Sequence, residues 1–248
     1  MAVFTANLPI DFGALDIFED FDGAGIERDD FNPSHKFYVY PGSNIEIAIR
    51  GHDFVYTPDD IPIRGAINAA EVRIYDASGD DYQIAYRLSG LNITPAKIAQ
   101  YVNDSPLEVV ADLFKGADRI TGSDFNDRIA GFDGSDKLTG GDGNDRFYFT
   151  AELSNSNVDR ITDFEHRHDK IVLSRAVFEL DPGQSVSSAF HDITSGGFRL
   201  EQDDDHILYN RNNGWLFYDA DGRGGDAPVH FATLDHHPQL TSGDILMV

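Results

Sequence analysis

The sequence predicts an all-β protein in which a stack of about five short, repeated turns joins two further β-rich regions. Residues 113–148 fall into four consecutive blocks of nine without insertion or deletion. Before them, apolar and polar residues alternate with the two-residue period of strands, and after them two apolar runs flank a polar, glycine-containing turn. A fixed period of nine indicates small units that bury a core only by stacking on their neighbours.

Every block has the same internal order. The sixth residue is Asp, the seventh is basic and the eighth is apolar, as in Asp145-Arg146-Phe147. The first six positions are rich in Gly, Asp and Asn, which accept the φ angles of tight turns. The last three form a minimal strand whose middle side chain points inward. Successive turns lie on opposite sides, so that block n stacks on block n+2.

The aspartates of two stacked turns then face each other, together with backbone carbonyls. Such a cage contains only hard oxygen atoms, which favours calcium over transition metals. Without a cation the carboxylates would repel one another, so we expect metal binding and folding to be coupled.

Residues 140–148, GGDGNDRFY, resemble the RTX nonapeptide repeat GGxGxDxUx, a calcium-binding signature. The resemblance implies a parallel β-roll with calcium between stacked turns. A displaced fifth block, 154–162, keeps the Asp-Arg-Ile order, and Asp169-Lys170-Ile171 repeats the triplet again. Leu113-Phe114 and Phe125 depart from the glycine pattern in the first two blocks.

The ligand pattern of that family, carried over to this chain, implies about two to four calcium ions held by carbonyls and aspartates. The implied ligands are Gly116, Asp118, Gly131, Asp133 and Asp136 in a first site, Asp127, Gly140, Asp142 and Asp145 in a second, and Gly134, Asp136 and Asp159 in a third, with Gly141 and Gly143 in the same turns. Asp163 fits either a further ligand or an exposed turn carboxylate.

We predict three regions: an N-terminal β-rich module with closing helices (1–111), the β-roll and its cap (112–174), and a C-terminal β region (175–248). Alternation predicts antiparallel strands in the first region, with a hairpin turn at 76–81 and a helix over 106–114. The acidic residues of 16–22 fit a solvated face or another cation site. The strands are centred on Phe37–Val39, Ile45–Ile49, Val72–Ile74 and Ile84–Leu88.

The C-terminal region contains a predicted hairpin whose turn is Asn210–Gly214. Asp219-Ala220-Asp221-Gly222 is similar to the start of an EF-hand loop, but His230 stands where the loop needs an acid, so a plain turn is predicted. Residues 113–248 resemble the serralysin C-terminal domain. The last residues, 244–248, are similar to the uncleaved secretion signals of RTX proteins that type I ABC exporters recognise.

Composition narrows the possible partners and locations. The chain has 43 acidic and 19 basic residues and a net charge of −24, which argues against nucleic acid or anionic membrane as a partner. It has no cysteine, no apolar run of membrane-spanning length and no classical N-terminal signal peptide. With the resemblance, this predicts a bacterial protein secreted by the type I route into a calcium-rich extracellular medium.

The sequence leaves two interpretations of activity open. It has no His-Glu-x-x-His zinc motif, no Gly-x-Ser-x-Gly elbow and no cysteine nucleophile. It is therefore either a non-enzymatic protein that binds extracellular polysaccharide or a cell surface, or a glycan-acting lyase or hydrolase that uses the β-roll for export and stability. A buried carboxylate pair with shifted pKa in the N-terminal module would favour the enzyme. A shallow aromatic face that uses Tyr38, Tyr40, Tyr56 or Tyr86 would favour binding.

Overall fold

The computed structural model consists almost entirely of strands and turns, which confirms the all-β prediction. It describes residues 1–7, 25–28, 34–42, 45–58, 62–75, 82–94, 97, 111–180, 183–194, 206–222 and 225–248. These residues form two compact units, Met1–Leu113 and Phe114–Val248. None of the helices in the described ranges has the length and apolar character needed to cross a membrane.

The first unit contains an antiparallel sheet of long strands. Its strands are β1 (Val3–Ala6), β2 (Gly25–Arg28), β3 (Lys36–Gly42), β4 (Ile45–Tyr56), β5 (Pro62–Tyr75) and β6 (Tyr82–Ile93). Their order is β1-β6-β5-β4-β3-β2. The four predicted strands are confirmed as parts of β3 to β6, whereas β1 and β2 were not predicted. Tyr75 pairs with Tyr82, so β5 and β6 are joined across the predicted hairpin turn, whose residues lie outside the described ranges.

The strand register tests the predicted aromatic face. Tyr38 lies opposite Ala48, Ala48 opposite Glu71, and Glu71 opposite Arg87, the neighbour of Tyr86. Because successive residues of a strand point to opposite faces, Tyr38 and Tyr86 lie on opposite faces of this sheet. An aromatic face of this sheet can therefore include Tyr38 or Tyr86 but not both.

A buried ion-pair network connects β4, β5 and β6. The Arg73 guanidinium donates to Glu46 at 2.6 Å and to Glu71 at 2.7 Å, and Arg87 donates to Glu71 at 3.1 Å. Burial raises the pKa of Glu71, but the hydrogen bonds from Arg73 and Arg87 lower it by more, so its net pKa falls. Glu71 thus stays ionised at neutral pH, unlike a carboxyl group poised to donate a proton.

Replacing Arg73 with Met is expected to destabilise the first unit by about 3 kcal/mol, because two carboxylates would lose their buried partner. Arg87→Met is the matched control, since its side chain is 52% exposed against 13% for Arg73, and it should cost less than about 1 kcal/mol. Urea unfolding of both variants measures the difference. Equal effects would show that burial of the network contributes nothing.

The second unit begins with the β-roll. Its strands are β7 (Arg119–Thr121), β8 (Arg128–Ala130), β9 (Lys137–Thr139), β10 (Arg146–Phe149), β11 (Asp159–Ile161) and β12 (Lys170–Leu173). β7, β9 and β11 pair in parallel in one sheet, and β8, β10 and β12 in the other, so the predicted stacking of alternate blocks is confirmed. The eighth-position residue of each block is fully buried between the sheets, as are its equivalents in β11 and β12: Ile120, Ile129, Leu138, Phe147, Ile161 and Ile171.

The C-terminal segment extends both sheets of the roll. It contributes β13 (Phe190–Asp192), β14 (Ile207–Asn210), β15 (Trp215–Tyr218), β16 (Val229–Leu234) and β17 (Ile245–Met247), with a short helix at Val186–Ala189. β16 pairs in parallel with β11, and β17 pairs in parallel with β12. The orders are β13-β14-β15-β16-β11-β9-β7 and β17-β12-β10-β8. The parallel stack therefore continues beyond the five predicted turns.

A buried aspartate holds the last strand in place. Asp244 accepts hydrogen bonds from the backbone N–H groups of Thr241 at 2.9 Å and Arg167 at 3.0 Å, and its Oδ2 lies 2.8 Å from Nδ1 of His166. Burial opposes these hydrogen bonds, but they lower the pKa of Asp244 overall. The segment predicted as a secretion signal is thus part of the folded second unit.

Other predicted elements have mixed outcomes. The hairpin around Asn210–Gly214 is confirmed, with Asn210 opposite Trp215 and Gly214 at φ 74°. Asp219–Gly222 forms the predicted turn, in which Asp219 Oδ1 accepts the Asp221 N–H at 3.3 Å. Of the predicted helix over 106–114, residues 111–113 are helical and residues 106–110 lie outside the described ranges, as does the acidic segment 16–22.

Candidate calcium-binding site

The repeat aspartates form two rows, one along each sheet of the roll. The first aspartate row is Asp118, Asp136 and Asp159, and the second is Asp127, Asp145 and Asp169. All six are buried. Within a row, the backbone N–H of each aspartate donates to Oδ1 of the next, at 2.7 and 3.1 Å in the first row and at 2.9 Å twice in the second. In each pair of neighbouring aspartates, one carboxylate oxygen therefore holds the two stacked turns together.

In the middle aspartate of each row, the other carboxylate oxygen is available to bind a ligand. Oδ2 of Asp136 and Oδ2 of Asp145 are inaccessible to solvent and have no hydrogen-bond partner. A buried carboxylate oxygen without a partner is costly, because the charge has lost its hydration. A cation beside these atoms would remove that cost.

Glycines allow these oxygens to approach the backbone closely. A Cβ atom at Gly131 would lie 2.5 Å from Asp136 Oδ2 and 2.8 Å from Asp159 Oδ2, so two carboxylates converge on this glycine. A Cβ atom at Gly140 would lie 2.2 Å from Asp145 Oδ2. Two carboxylate oxygens therefore flank Gly131, and one carboxylate oxygen and the Phe147 ring flank Gly140. Carboxylate oxygens are donors that calcium prefers. The residues present therefore fit calcium.

Crowding of the carboxyl groups shifts their ionisation. Burial, followed by the charge of Asp159, raises the pKa of Asp136 to about 8. Burial, with the charges of Asp169 and Asp127, raises the pKa of Asp145 to about 7. Burial likewise raises the pKa of Asp159 to about 7 and also raises that of Asp169. A divalent cation would favour the ionised forms and reverse these shifts.

These pKa values predict how the stability of the calcium-free roll and the binding of calcium depend on pH. Because the folded-state pKa values are raised, the carboxyls stabilise the calcium-free roll at pH values below about 4, and this stability is lost as the pH rises through about 7 to 8. Calcium requires the ionised forms, so binding at pH 7 should release protons. Calorimetric calcium titrations in two buffers of different ionisation enthalpy measure the release. Identical heats in both buffers would contradict the prediction.

The structure brings several implied backbone ligands together. In the first implied site, the Gly116 N–H donates to the Asp133 carbonyl at 2.7 Å. Gly134 packs on the same turn, since a Cβ atom there would meet the Gly116 carbonyl oxygen at 1.8 Å. Gly116, Asp133 and Gly134 are thus adjacent, and the first and third implied sites lie in one stack of turns.

In the stack of turns that carries the second aspartate row, Gly140 is the implied ligand that lies beside the aspartates. A Cβ atom at Gly122 would lie 2.2 Å from the Gly140 carbonyl oxygen and 2.6 Å from Asp127 Oδ2, so these two oxygens approach the same point. Gly141 and Gly143, both with positive φ, pack against carbonyl oxygens of the turn below. The Asp142 side chain is exposed, as expected for a residue that would contribute only its carbonyl.

Sequence reasoning missed two contributors to the rows, Asp169 and Ser123, and left the role of Asp163 open. Asp169 continues the second row, and its membership was signalled by the repeated Asp-Lys-Ile triplet. Ser123 donates its backbone N–H and its hydroxyl to Asp127 Oδ2, at 2.7 and 3.0 Å. Asp163 accepts the N–H groups of Gly140 and Gly141, each at 2.9 Å. Asp163 therefore caps the fourth turn.

Among the described residues, no three or more His, Cys, Asp or Glu side chains cluster as a conventional metal site would require. The implied RTX sites do not require such a cluster, because each combines two aspartates with backbone carbonyls. The aspartate rows are therefore defined by the strand register and not by a cluster of acidic side chains.

Comparisons with known proteins point to the same repeats. Residues 114–147 match the family model of the RTX calcium-binding nonapeptide repeat, in four copies. No curated protein matches the chain. Among solved structures, the chain is similar to the solution structure of the AlgE6R3 subunit of the mannuronan C5-epimerase from Azotobacter vinelandii. The match has 18% identity and a TM-score of 0.30, and it covers 53% of this chain and 78% of that chain.

The nine-residue period, the two stacked parallel sheets and the family match agree on residues 114–147. Residues 114–147 are therefore an RTX calcium-binding nonapeptide repeat array.

Proposed function

We propose that this chain is a secreted bacterial protein whose second unit folds when extracellular calcium binds between the stacked turns. The observation that carries the proposal is the pair of buried oxygens without hydrogen-bond partners, Asp136 Oδ2 and Asp145 Oδ2, which pack closely against Gly131 and Gly140. Without a cation, repulsion between the ionised carboxylates of a row favours the unfolded chain. Calcium binding offsets this repulsion and favours the folded unit.

The proposed ligands are the thirteen positions that the resemblance implies, with Asp169 added to the second row. Asp136 and Asp145 are central because each lies between two other aspartates of its row. Four adjacent aspartate pairs exist in the two rows, which sets an upper limit of four ions for sites of this kind.

The thermodynamic linkage between calcium binding and folding gives the size of the stabilisation. A ligand that binds only the folded state stabilises it by about 2.7 kcal/mol at a concentration one hundred times its Kd. Extracellular calcium modules have Kd values of about 10⁻⁴ to 10⁻³ M. A chain with such sites stays unfolded at low cytosolic calcium and folds outside the cell.

Limited proteolysis tests this proposal on the full chain. In millimolar calcium, residues 114–248 should resist a nonspecific protease, whereas in chelator they should be cleaved within the repeats. Magnesium at the same concentration is the control, because its smaller ion demands octahedral geometry and retains its water. Equal protection in chelator and calcium would overturn the proposal.

The proposal extends to export. Residues 244–248 resemble a type I signal, yet β17 is paired in the folded unit, so recognition by the exporter has to precede folding. Cells that carry a type I ABC exporter should release the full chain, and removal of residues 175–248 should abolish release. Release of the shortened chain at the normal level would place the signal elsewhere.

Outside the cell we propose a non-enzymatic binding role. Among the described residues of the first unit, Glu46 and Glu71 form a largely buried carboxylate pair that Arg73 bridges. Its lowered Glu71 pKa suits a structural ion pair and not a general acid. This observation favours binding over the alternative of a glycan-acting lyase or hydrolase.

A further inference from the structure

The outer face of the β7–β9–β11 sheet has a line of basic side chains. Arg119 lies opposite Lys137, and Lys137 lies opposite Arg160. We name these three residues the cation row. The line continues with Thr233, opposite Arg160, and with Trp215, opposite Thr233. Directly paired residues share one face of a sheet, so all five side chains lie on the same side.

A second line of polar groups runs beside the cation row. Thr121, Thr139 and Thr162 each follow a residue of the cation row by two positions, and so share its face; we name them the hydroxyl row. Thr121 pairs with Thr139, and the Oγ1 atoms of Thr139 and Thr162 are 2.7 Å apart. All three are partly exposed. Their hydroxyls can donate to and accept from the hydroxyls of a ligand.

An exposed indole ring ends the line. Trp215 is 41% exposed, and its ring contacts His230 with centroids 4.8 Å apart and Phe217 at 6.0 Å. These contacts fix the ring while part of its surface stays open to solvent. The electron-rich face of an indole attracts the polarised C–H groups of a sugar ring.

The charge of this face differs from that of the whole chain. Arg160 is paired with Asp235 at 2.8 Å, whereas within the described residues no ion pair forms at Arg119 or Lys137. The chain as a whole has a net charge of −24. A line of three cations in so acidic a protein is therefore a local attraction for negative charge.

We propose that this face binds an acidic polysaccharide that has one carboxylate per sugar. Neighbouring strands are about 4.8 Å apart, so the cations are spaced about as far apart as successive residues of an extended sugar chain, and the line from Arg119 to Trp215 spans about 19 Å. DNA, with a charge every ~1.7 Å, is too dense for this spacing and is repelled by the rest of the chain. The inference rests on the binding role proposed above and locates its site.

The opposite sheet provides a matched comparison. Arg128, Arg146 and Lys170 also lie in one row, in equivalent positions of the repeat. The residues two positions after Arg128 and Lys170 are, however, Ala130 and Val172, which are 6% and 1% exposed. At the third equivalent position, two residues after Arg146, the half-buried Tyr148 has a hydroxyl. The two rows therefore share their charge, but the opposite sheet lacks a continuous line of hydroxyls.

The experiment uses the full chain in saturating calcium and short oligogalacturonates that do not gel. Trp215 is the only tryptophan of the sequence, so its fluorescence reports binding directly. Circular dichroism first establishes that each variant is folded. We expect binding by the wild type, at least roughly tenfold weaker binding when Arg119, Lys137 and Arg160 are all replaced with Gln, and a change below about twofold for the Gln triple variant of Arg128, Arg146 and Lys170.

Methyl-esterified oligogalacturonate, which has the same chain without the charge, should bind at least roughly tenfold more weakly than the free acid. Trp215→Ala, followed by calorimetry, should also weaken binding. Equal losses in the two triple variants, or equal binding of the esterified chain, would overturn the proposal. A wild type that folds in calcium but does not bind would overturn it while leaving calcium-dependent folding intact. A chain that calcium does not fold would instead refute the proposed function.

Discussion

Replacing Asp145 with Ala should raise the calcium concentration at the folding midpoint by roughly tenfold or more. Asp145 Oδ1 accepts the Asp127 N–H at 2.9 Å, and its Oδ2 is buried without a partner. The substitution removes one ligand charge from each of two neighbouring sites in the second aspartate row, and calcium affinity depends on the number of ligand charges. Far-UV circular dichroism during a calcium titration measures the midpoint.

Asp142→Ala is the matched control for this variant. Asp142 lies three residues earlier in the same turn, its side chain is exposed, and the substitution removes the same charge while retaining the carbonyl. We expect its midpoint to stay within about twofold of the wild type, since exposed charges contribute little. If both variants shift equally, net charge and not ligation controls folding, and the assignment of Asp145 as a ligand is wrong.

Replacing Gly140 with Ala should prevent calcium-induced folding of the second stack over the tested concentrations. The added methyl group would lie 2.2 Å from Asp145 Oδ2, 3.0 Å from its Cγ and 3.2 Å from the ring of Phe147. It would therefore displace the carboxylate oxygen that is proposed as a calcium ligand, and overpacking of this kind also costs about 1 to 3 kcal/mol in folding free energy. Loss of the calcium response in circular dichroism, with a lower melting temperature, is the expected result.

Gly225→Ala is the control for the glycine variant. No atom lies within 4 Å of a Cβ placed at Gly225, and this glycine does not have a left-handed φ. It should fold with the midpoint of the wild type. A Gly140→Ala protein that responded to calcium as Gly225→Ala does would show that the space beside Asp145 is not an ion site.

The repeat could be predicted from sequence because each of its features has a period of nine. The inward positions, the alternation between two sheets and the two aspartate rows all follow once the blocks are aligned, and the burial of Ile120 and Phe147 confirms the phase. The implied glycines could be placed for the same reason, because each turn copies the one before it.

Features that depend on long-range pairing could not be predicted in this way. The pairing of β16 with β11 joins residues more than seventy positions apart, and no periodic signal connects them. Asp163 caps a turn more than twenty residues earlier, which its local sequence does not indicate. The tyrosines of β3 and β6 were grouped by composition, and only the register, with its alternation of faces, separates Tyr38 from Tyr86.

The cation row illustrates the same limit. The basic seventh position of every block is visible in the sequence, but Trp215 joins the row only through the pairing of β15 with β16. A sequence pattern thus predicts charges at equal spacing, whereas the fold determines which other side chains stand beside them.

Calcium-dependent folding of the second unit is tested most directly by far-UV circular dichroism of the full chain. The titration begins in chelator and ends at ~10 mM calcium, which is about tenfold above the weak end of the affinity range for extracellular modules. The account predicts that a large part of the β signal is missing in chelator and appears cooperatively with calcium, and that magnesium does not replace calcium. A spectrum that is the same in chelator and in calcium would contradict it.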